Sequence, residues 1–565
     1  MLALVFCKAE CRHLNYECRL INGDLIGQCC INPSPLSVMK KILVSDKLAE
    51  DGINFLNSQP GLQIHLQTGL SEDALCELIP DFDALLIRSD TQVTARVLKA
   101  APRLQVIGRA GIGVDNVDLA AALEQGVIVM NTPDANAVTT AELALAHLFS
   151  LSRNLPQANQ SVKTGKWERA RLMGSEVAHK TLAVLGFGTI GRIVAQRGSG
   201  LGMRVIGFDP FVAPEVFAAH GAEPVDLATL LKQADYLTLH CPLIEKTRHI
   251  IGAEQLALMK KSARLINCAR GGLVDEAALY QALSSGRLAG AALDVYEQEP
   301  PKDSPLLSLD NVVFTPHLGA STNEAQVAVS VEIARQVVKF LQTGEAVNAL
   351  NLPRLSAEEL KLAQPFMHLA HILGKVLAGW IDQPLTRLEV AVFGQAAQVK
   401  IRPVSAEALV GLLAGQMSTP VNRVNAENIA KRQGITLVES QSNVSTGYQS
   451  LIRITGTSAG NTISLSGTLL GDQHARLVTI NQYEIEVVPE GVLLITRHDD
   501  RPGVIAAISS ILGAAQINIT RMQVSVADQQ QTAMMVISVS NPLTPELLKA
   551  VQAVSAVHTV RQIVL

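Results

Sequence analysis

The chain contains the run Thr181-Leu-Ala-Val-Leu-Gly186-Phe-Gly188-Thr-Ile-Gly191, in which an apolar stretch leads through three glycines into a helical pattern. The spacing G-x-G-x-x-G after a strand is typical of a dinucleotide-binding turn. We expect Gly186 to allow the tight turn, Gly188 to let a pyrophosphate approach the backbone, and Gly191 to permit close packing of the helix on the strand. The alternative is a glycine-rich turn of a parallel sheet that binds nothing.

An acidic residue, Asp209, ends the next strand pattern, Arg204-Val-Ile-Gly-Phe. A carboxylate roughly twenty residues after such a fingerprint accepts hydrogen bonds from the ribose hydroxyls and repels a 2′-phosphate. The sequence therefore predicts NAD, rather than NADP, as the cofactor. Its pyrophosphate is expected on the amide groups at the start of the helix after Thr189, where the helix dipole favours an anion.

Three reactive residues follow, each just past a predicted strand: Arg270 in Ile266-Asn-Cys-Ala-Arg-Gly-Gly, Glu299 in Ala292-Leu-Asp-Val-Tyr-Glu-Gln-Glu-Pro and His317 in Val312-Val-Phe-Thr-Pro-His-Leu-Gly-Ala. Open α/β sheets bind ligands at this carboxyl edge. Oxidation of a hydroxy acid needs a base, and the ordinary pKa of His317 suits that role. Glu299 would orient the imidazole, and the planar fork of Arg270 would bind a carboxylate.

Each of these residues also has a structural explanation on its own. His317 could be a structural hydrogen-bonding group, Arg270 a capping or ion-pairing residue, and Glu299 a cap of the turn at Pro300-Pro301. Their joint occurrence downstream of the fingerprint favours hydride transfer.

The order of strand and helix patterns predicts the fold class. From Lys40 onward short β-rich runs alternate with helical stretches, which is typical of a parallel sheet with crossover helices, and a second βαβ series begins at Thr181. We therefore predict an α/β protein with two Rossmann-like parallel-sheet domains. After Gly344 a mixed α/β region follows, and from Val492 the order βαββαβ predicts a ferredoxin-like module.

Bulk composition limits the class of protein. The chain has 565 residues, 48% of them hydrophobic and 17% charged, with a formal net charge of -4. Such a length predicts several domains, and the dispersed charge argues against nucleic acid as a partner. Because no apolar run approaches the roughly 20 residues of a membrane span, we expect a cytoplasmic protein without a membrane partner.

The first 38 residues differ from the rest, since five of the eight cysteines (Cys7, Cys11, Cys18, Cys29 and Cys30) precede Met39. Their spacing matches no zinc pattern, and no metal site is expected. We expect residues 1–38 to be a disordered extension or an upstream start that is not used. The alternative is a redox-sensing or metal-sensing tail.

The chain resembles the D-isomer-specific 2-hydroxyacid dehydrogenase family in four runs: Gly108-Arg-Ala-Gly-Ile-Gly-Val-Asp-Asn, Gly186-Phe-Gly-Thr-Ile-Gly, Asn267-Cys-Ala-Arg-Gly-Gly and Thr315-Pro-His-Leu-Gly-Ala. Within the family it resembles the long form, which carries an intervening domain and an ACT domain, through Gly165-Lys-Trp-Glu-Arg169 and the appended regions. The resemblance implies a substrate-binding domain at residues 39–137 and 320–349, an NAD-binding domain at 138–319, an intervening domain at 350–489 and an ACT domain at 490–565.

The resemblance also implies roles for particular residues. Arg270, Glu299 and His317 would be the catalytic set, and the NAD site would comprise Ile112, Gly186, Gly188, Thr189, Ile190, Gly191, Asp209, Cys241, Cys268, Ala269, Arg270, Asp294, His317, Gly319 and Ala320. The implied substrate is 3-phospho-D-glycerate, at the entry to L-serine biosynthesis, bound by Arg88, Ser89, Arg109 and, from a neighbouring subunit, Arg169. His498, Asp500 and Asn518 would hold an effector, L-serine, in a homo-oligomer built as a dimer of dimers.

Three alternatives stay open at this point. The main substrate could be another D-2-hydroxyacid, such as glycerate or 2-hydroxyglutarate. The chain could be an NAD or amino-acid sensor without enzymatic activity. The ACT module could serve oligomerisation alone.

Overall fold

The computed structural model describes residues 39–565, except 353–354, 418–419, 445–446, 472 and 528–530. The hypothesis about residues 1–38 lies outside the described residues.

The first lobe is a parallel sheet with strand order β2-β1-β3-β4-β5. Its strands are β1 (Lys40–Val44), β2 (Leu62–Leu66), β3 (Ala84–Ile87), β4 (Val106–Arg109) and β5 (Ile128–Met130). The crossover helices are α1 (Glu50–Asn57), α2 (Glu72–Leu78), α3 (Ala95–Lys99) and α4 (Leu119–Gln125). Ser71, Thr94 and Asp118 each cap the next helix by accepting a backbone N–H, which satisfies a donor that the first turn leaves unpaired.

The second lobe is a larger parallel sheet with strand order β12-β11-β10-β9-β6-β7-β8. Its strands are β6 (Thr181–Leu185), β7 (Arg204–Phe208), β8 (Ala222–Pro224), β9 (Tyr236–Leu239), β10 (Arg264–Asn267), β11 (Gly290–Leu293) and β12 (Val312–Phe314). Its helices are α5 (Ala137–Arg153), α6 (Leu155–Lys163), α7 (Thr189–Gly200), α8 (Pro214–Ala219), α9 (Leu227–Gln233), α10 (Ala253–Leu258) and α11 (Glu276–Ser284). Because the strand order reverses between β6 and β9, a crevice opens at their carboxyl ends.

Helix α12 (Asn323–Thr343) returns from the second lobe to the first. A Cβ on Gly108 of β4 would lie 2.7 Å from Val337 and 2.8 Å from Ile333, so α12 packs directly on that strand. The chain therefore crosses between the lobes twice. The functional division at 137/138 and 319/320 stays a prediction.

The helix after the fingerprint contains Gly198 and Gly200, which the propensity scale disfavours. The helix nevertheless continues to Gly200. A Cβ on Gly198 would lie 2.5 Å from Leu182 of β6, so close packing requires this glycine. Gly200 has open space around it among the described residues, and nothing in the structure explains it.

The third unit is a mixed sheet with strand order β14-β13-β15-β16-β17-β18. Its strands are β13 (Leu385–Gly394), β14 (Thr436–Ser442), β15 (Ser450–Ser458), β16 (Asn461–Leu470), β17 (His474–Ile480) and β18 (Tyr483–Val487), with helices α13 (Ala357–Trp380), α14 (Ile401–Leu413) and α15 (Ala426–Arg432). It docks on the first lobe through the loop before α15, where Val424 is buried among first-lobe residues and Asn422 Nδ2 donates to the carbonyl of Gly126 at 2.7 Å.

The C-terminal module has the predicted order βαββαβ, and its antiparallel sheet runs β20-β21-β19-β22. Its elements are β19 (Val492–Asp499), α16 (Val504–Ala514), β20 (Ile519–Val526), β21 (Thr532–Val539), α17 (Pro545–Gln552) and β22 (Val557–Val564). Leu493 and Ile495 of β19 share one buried cluster with Leu373 and Leu377 of α13. The module and the mixed sheet are therefore joined by a common hydrophobic core.

Candidate active site

The fingerprint turn has the geometry that a pyrophosphate needs. Gly186 has a φ of 93°, and a Cβ there would lie 2.6 Å from the backbone carbon of His240. A Cβ on Gly191 would lie 2.1 Å from the carbonyl oxygen of Gly186, so the helix packs too closely on the turn for any side chain. A Cβ on Gly188 would meet no described heavy atom within 4 Å. The backbone at the start of α7 is thus open to a ligand where the sequence predicts the phosphates.

The polar groups around this turn suit a dinucleotide. Asp209 accepts the backbone N–H groups of Phe187 and Phe211, both at 2.9 Å, and so stands at the end of β7 beside the turn. Within the described chain, His240 Nδ1 and Asn136 Oδ1 are buried without a hydrogen-bond partner, and both residues line the same pocket. Buried polar atoms are rarely left unpaired, so these two indicate a ligand that completes them.

Glu299 and His317, the predicted catalytic pair, lie within hydrogen-bond distance. Glu299 Oε2 lies 2.8 Å from His317 Nδ1. The hydrogen bond with Glu299 raises the pKa of His317, against the opposing effect of burial. Burial pushes the pKa of Glu299 upward, but the hydrogen bond and charge of His317, with smaller help from Tyr296 and Arg270, outweigh it, so the pKa of Glu299 is lowered. With Nδ1 engaged by the carboxylate, the Nε2 atom of His317 is left for a substrate.

Asp294 holds the loop that carries His317. Its carboxylate is fully buried and accepts the backbone N–H groups of Leu318 at 2.7 Å and Gly319 at 2.9 Å. Its carbonyl oxygen accepts the N–H of His317 at 2.9 Å. His317 has a φ of 52°, a left-handed conformation that a residue other than glycine keeps only when its surroundings enforce it. Asp294 is part of what enforces it.

Arg270 is engaged by two acceptors. Its Nη1 donates to the carbonyl of Ala269 at 2.6 Å, and its Nε lies 3.0 Å from Asp115 Oδ2 of the first lobe. Asp115 is 68% exposed in its side chain, whereas Arg270 is 26% exposed. This ion pair joins the two lobes across the cleft.

Two further arginines extend the cleft towards the first lobe. Arg109 and Arg88 line a pocket with Ser89, Glu299 and His317. Burial, together with the charge of Arg270, lowers the pKa of Arg109 to about 10, so the side chain stays cationic at neutral pH. The Nε atoms of Arg88 and Arg109 are buried and have no partner among the described residues. Two guanidinium groups that line one pocket and form no ion pair among the described residues suit an anion of more than one charge.

Comparisons with known proteins agree with this geometry. Residues 145–319 match the NAD-binding domain of the D-isomer-specific 2-hydroxyacid dehydrogenases, residues 362–481 match the D-3-phosphoglycerate dehydrogenase intervening domain, and residues 491–556 match the ACT domain. D-3-phosphoglycerate dehydrogenase of Methanocaldococcus jannaschii is 43% identical over 92% of this chain and 99% of the relative's length. The chain belongs to the D-3-phosphoglycerate dehydrogenase family. D-3-phosphoglycerate dehydrogenase of Bacillus subtilis is 38% identical over 93% of the chain and 99% of its own length.

The solved structure of a glyoxylate reductase from Paecilomyes thermophila matches the chain with a TM-score of 0.51 and 31% identity. It covers 55% of this chain and 98% of its own. The resemblance to the 2-hydroxyacid dehydrogenases, the predicted fold class and the NAD cofactor are therefore confirmed.

The structure of this family member brings most of the predicted site residues to one place. The predicted NAD-site residues that line the cofactor pocket are Ile112, Gly188, Thr189, Ile190, Cys241, Cys268, Ala269, Arg270, His317, Gly319 and Ala320. Gly186, Gly191, Asp209 and Asp294 lie behind or beside the pocket and shape it. The individual roles stay predictions.

Other predicted residues lie elsewhere. Arg169 is exposed and does not line the described pockets of this single chain. At the proposed effector site Asp500 and Asn518 are exposed, whereas His498 is buried, with Nδ1 3.0 Å from the carbonyl oxygen of Ala533.

Sequence reasoning missed His240, Asn136, Asp115 and Thr140, which also line the cofactor pocket. The rule that ligands bind past strand ends could have found His240, because it directly follows β9. Asp115 stood inside a run that carried the resemblance, but nothing in the sequence pairs it with Arg270. Asn136 and Thr140 carried no signal.

Two absences concern the described residues alone. In residues 39–565, outside the gaps, no cluster of three or more His, Cys, Asp and Glu side chains could hold a metal ion. The helices of that same part of the chain include none that is long and apolar enough to span a membrane.

Proposed function

We propose that this protein oxidises 3-phospho-D-glycerate to 3-phosphohydroxypyruvate with NAD, the first step of L-serine biosynthesis. The observation that carries the proposal is the junction of two pockets that share Arg109 and His317. One pocket contains the fingerprint turn, and the other contains Arg88 and Glu299. The curated relatives that match nearly the whole chain bear the name of this activity.

Each residue has a defined task in this reaction. His317 Nε2 takes the hydroxyl proton as the C2 carbon loses its hydride and becomes a carbonyl, and Glu299 stabilises the imidazolium that results. NAD, when bound, accepts the hydride. Arg270 binds the substrate carboxylate, in the way that its guanidinium contacts the carboxylate of Asp115 in the structure.

The phosphate group selects the substrate. A phosphorylated hydroxy acid carries about 1.5 to 2 more negative charges at neutral pH than the same acid without the phosphate. Arg88 and Arg109 offer buried donors for this group. An unphosphorylated acid would leave these donors unpaired, at a cost of about 1–3 kcal/mol for each. The phosphorylated acid is therefore preferred over glycerate and 2-hydroxyglutarate.

The test is NADH formation at 340 nm with 3-phospho-D-glycerate at alkaline pH, with the keto acid trapped. His317→Ala is expected to lower kcat by about 10²- to 10⁴-fold, the usual contribution of a general base. If the protein oxidised glycerate or 2-hydroxyglutarate but not 3-phospho-D-glycerate, the proposed substrate would be wrong. NAD binding without turnover of any of the acids would instead indicate a sensor.

We also propose that L-serine binds at the ACT module through His498, Asp500 and Asn518, and that the protein is a homo-oligomer. The matched ACT domain supports a small-molecule effector. Trp167 and Met173, on the segment that precedes β6, are 78% and 80% exposed, which suits a surface that a second copy covers. Arg169 lies on the same segment, which is where a residue donated to a neighbouring subunit would lie.

These two proposals are tested separately from the activity. Sedimentation of the protein would give its assembly state, and a monomer at micromolar concentration would contradict the oligomer. Calorimetric titration with L-serine, against an Asp500→Asn variant, would test the effector. The cytoplasmic location stays a prediction.

A further inference from the structure

His147, in the middle of α5, is a buried titratable residue to which the proposed reaction assigns no role. It is 3% exposed, and its Nε2 lies 3.1 Å from Thr315 Oγ1. Thr315 in turn lies 2.5 Å from Asp294 Oδ1 through the same hydroxyl oxygen. A chain of hydrogen bonds thus connects α5 with the carboxylate of Asp294, which holds the loop that carries His317.

The direction of each hydrogen bond follows from counting protons. A carboxylate that accepts two backbone N–H groups is an acceptor, so the single hydroxyl proton of Thr315 points to Asp294. The hydroxyl oxygen then has only lone pairs left for His147. Nε2 of His147 therefore carries the ring proton and donates a hydrogen bond to Thr315 Oγ1. Burial lowers the pKa of His147, with Asp294 opposing, so the ring that donates is the neutral one.

The same helix contacts the loop a second time. Thr140 Oγ1 donates to the carbonyl of Gly319 at 2.8 Å. His147 and Thr140 lie seven residues apart on α5, two helical turns, so both side chains project from one face. The loop of residues 315–319 is therefore fixed at both ends by α5, with the left-handed backbone of His317 between the two contacts.

We propose that His147 is a positioning residue for the catalytic loop: it orients the Thr315 hydroxyl, which fixes the Asp294 carboxylate that holds the backbone directly after His317. This inference rests on the proposed function, because His317 must be the reacting base for its position to matter. Hydrogen bonds arranged in a chain polarise one another, so the first donor strengthens the contact of the second.

The experiment compares His147→Leu, His147→Gln, Thr315→Val and the double variant His147→Leu/Thr315→Val. His147→Leu removes the donor and is expected to lower kcat about tenfold, with KM for the hydroxy acid within about twofold, because small misplacements of a reacting group affect the rate more than binding. Gln keeps an N–H donor and should recover most of the rate. Since His147 acts through Thr315, the double variant should be no slower than Thr315→Val alone.

A matched control lies on the same helix. Ser152 Oγ is fully buried and 2.7 Å from Tyr236 Oη, away from the catalytic loop. Ser152→Ala therefore removes a buried hydrogen bond of α5 and should lower the melting temperature without changing kcat. If His147→Leu and Ser152→Ala changed kcat alike, His147 would have only a structural role.

The remaining outcomes are also decisive. A kcat for His147→Leu within twofold of the unmodified protein overturns the proposal, as does a double variant whose loss is the product of the two single losses. If His147→Leu fails to fold, the Thr315 variants provide the test. Thr315→Ser keeps the hydroxyl and must keep the kcat of the unmodified protein, whereas Thr315→Val must lower it. The series is measured on whichever 2-hydroxy acid the unmodified protein oxidises. An unmodified protein that oxidises none refutes the proposed function, whereas an active protein with unaffected variants refutes only the role of His147.

Discussion

Replacing Glu299 by Gln removes the negative charge beside His317 while keeping the size of the side chain. A hydrogen bond to a charged partner contributes about 1.5–3 kcal/mol. The side chains of His317 and Glu299 are 50% and 40% exposed, so water screens the pair and the low end, about 1.5 kcal/mol, applies. Because the imidazolium forms during the reaction, this energy is lost from the transition state, and kcat should fall about tenfold.

The pH profile should change in a defined direction. Glu299 raises the pKa of His317, and oxidation needs the neutral ring, so the rate of the unmodified protein falls as pH drops through this raised pKa. Without the carboxylate the pKa of His317 falls towards its ordinary value or below. The acid limb of kcat/KM therefore moves to lower pH, and the loss is largest on the alkaline plateau.

The assay is NADH formation at 340 nm between about pH 5.5 and 9.5, which covers the usual titration range of imidazoles in proteins and the alkaline plateau above it. Glu297→Gln is the matched control, because Glu297 lies two residues away and faces His249 at 3.0 Å instead of His317. It should stay within about twofold of the unmodified protein. An unchanged plateau and an unchanged acid limb in Glu299→Gln would refute the dyad.

Three further predictions concern the cleft. Asp115→Asn frees Arg270 from an ion pair whose carboxylate is mostly exposed and which is therefore worth about 0.2–1 kcal/mol. KM for the hydroxy acid should fall, by about fivefold at most, and a rise in KM would show that the pair positions Arg270 instead. Arg109→Lys keeps the positive charge but loses the planar guanidinium, which can donate two hydrogen bonds to one phosphate. KM for the phosphorylated acid should therefore rise at least about tenfold. An unchanged KM would show that Arg109 does not bind the phosphate. Gly191→Ala places a Cβ 2.1 Å from the carbonyl oxygen of Gly186, so calorimetry should detect weakened NADH binding, and wild-type affinity would contradict the assigned turn geometry.

Local pattern was sufficient to predict most of the fold. Buried runs such as Ala84–Ile87 and Thr181–Leu185 are typical of parallel strands, because both faces of such a sheet are covered and nearly all of their residues are apolar. The order βαββαβ at the C-terminus could be predicted for a similar reason, since the alternation of apolar and polar residues and the turn residues are local properties of the sequence. The fingerprint glycines identified the turn, and at Gly186 and Gly191 a Cβ would clash with the backbone.

Packing between distant segments could not be predicted from the sequence. Helix propensity alone disfavours Gly198, and only the packing explains it, because a Cβ there would lie 2.5 Å from Leu182. The common core of Leu493 with Leu377 could not be expected from two segments that each read as a separate domain. Such contacts depend on which faces meet, and the sequence pattern describes each face alone.

The candidate site divides in the same way. The candidate reactive residues and the cofactor could be predicted from sequence, because Arg270, Glu299 and His317 follow strands whose carboxyl ends share one edge of a parallel sheet. The partners of these residues could not be predicted, because they depend on tertiary packing. Asp115 meets Arg270 across two lobes. His147 contacts Thr315, which lies 168 residues later in the chain, and through it reaches Asp294. The physical reason is that a hydrogen bond depends on distances of a few tenths of an ångström, and these are set by how the lobes and helices pack.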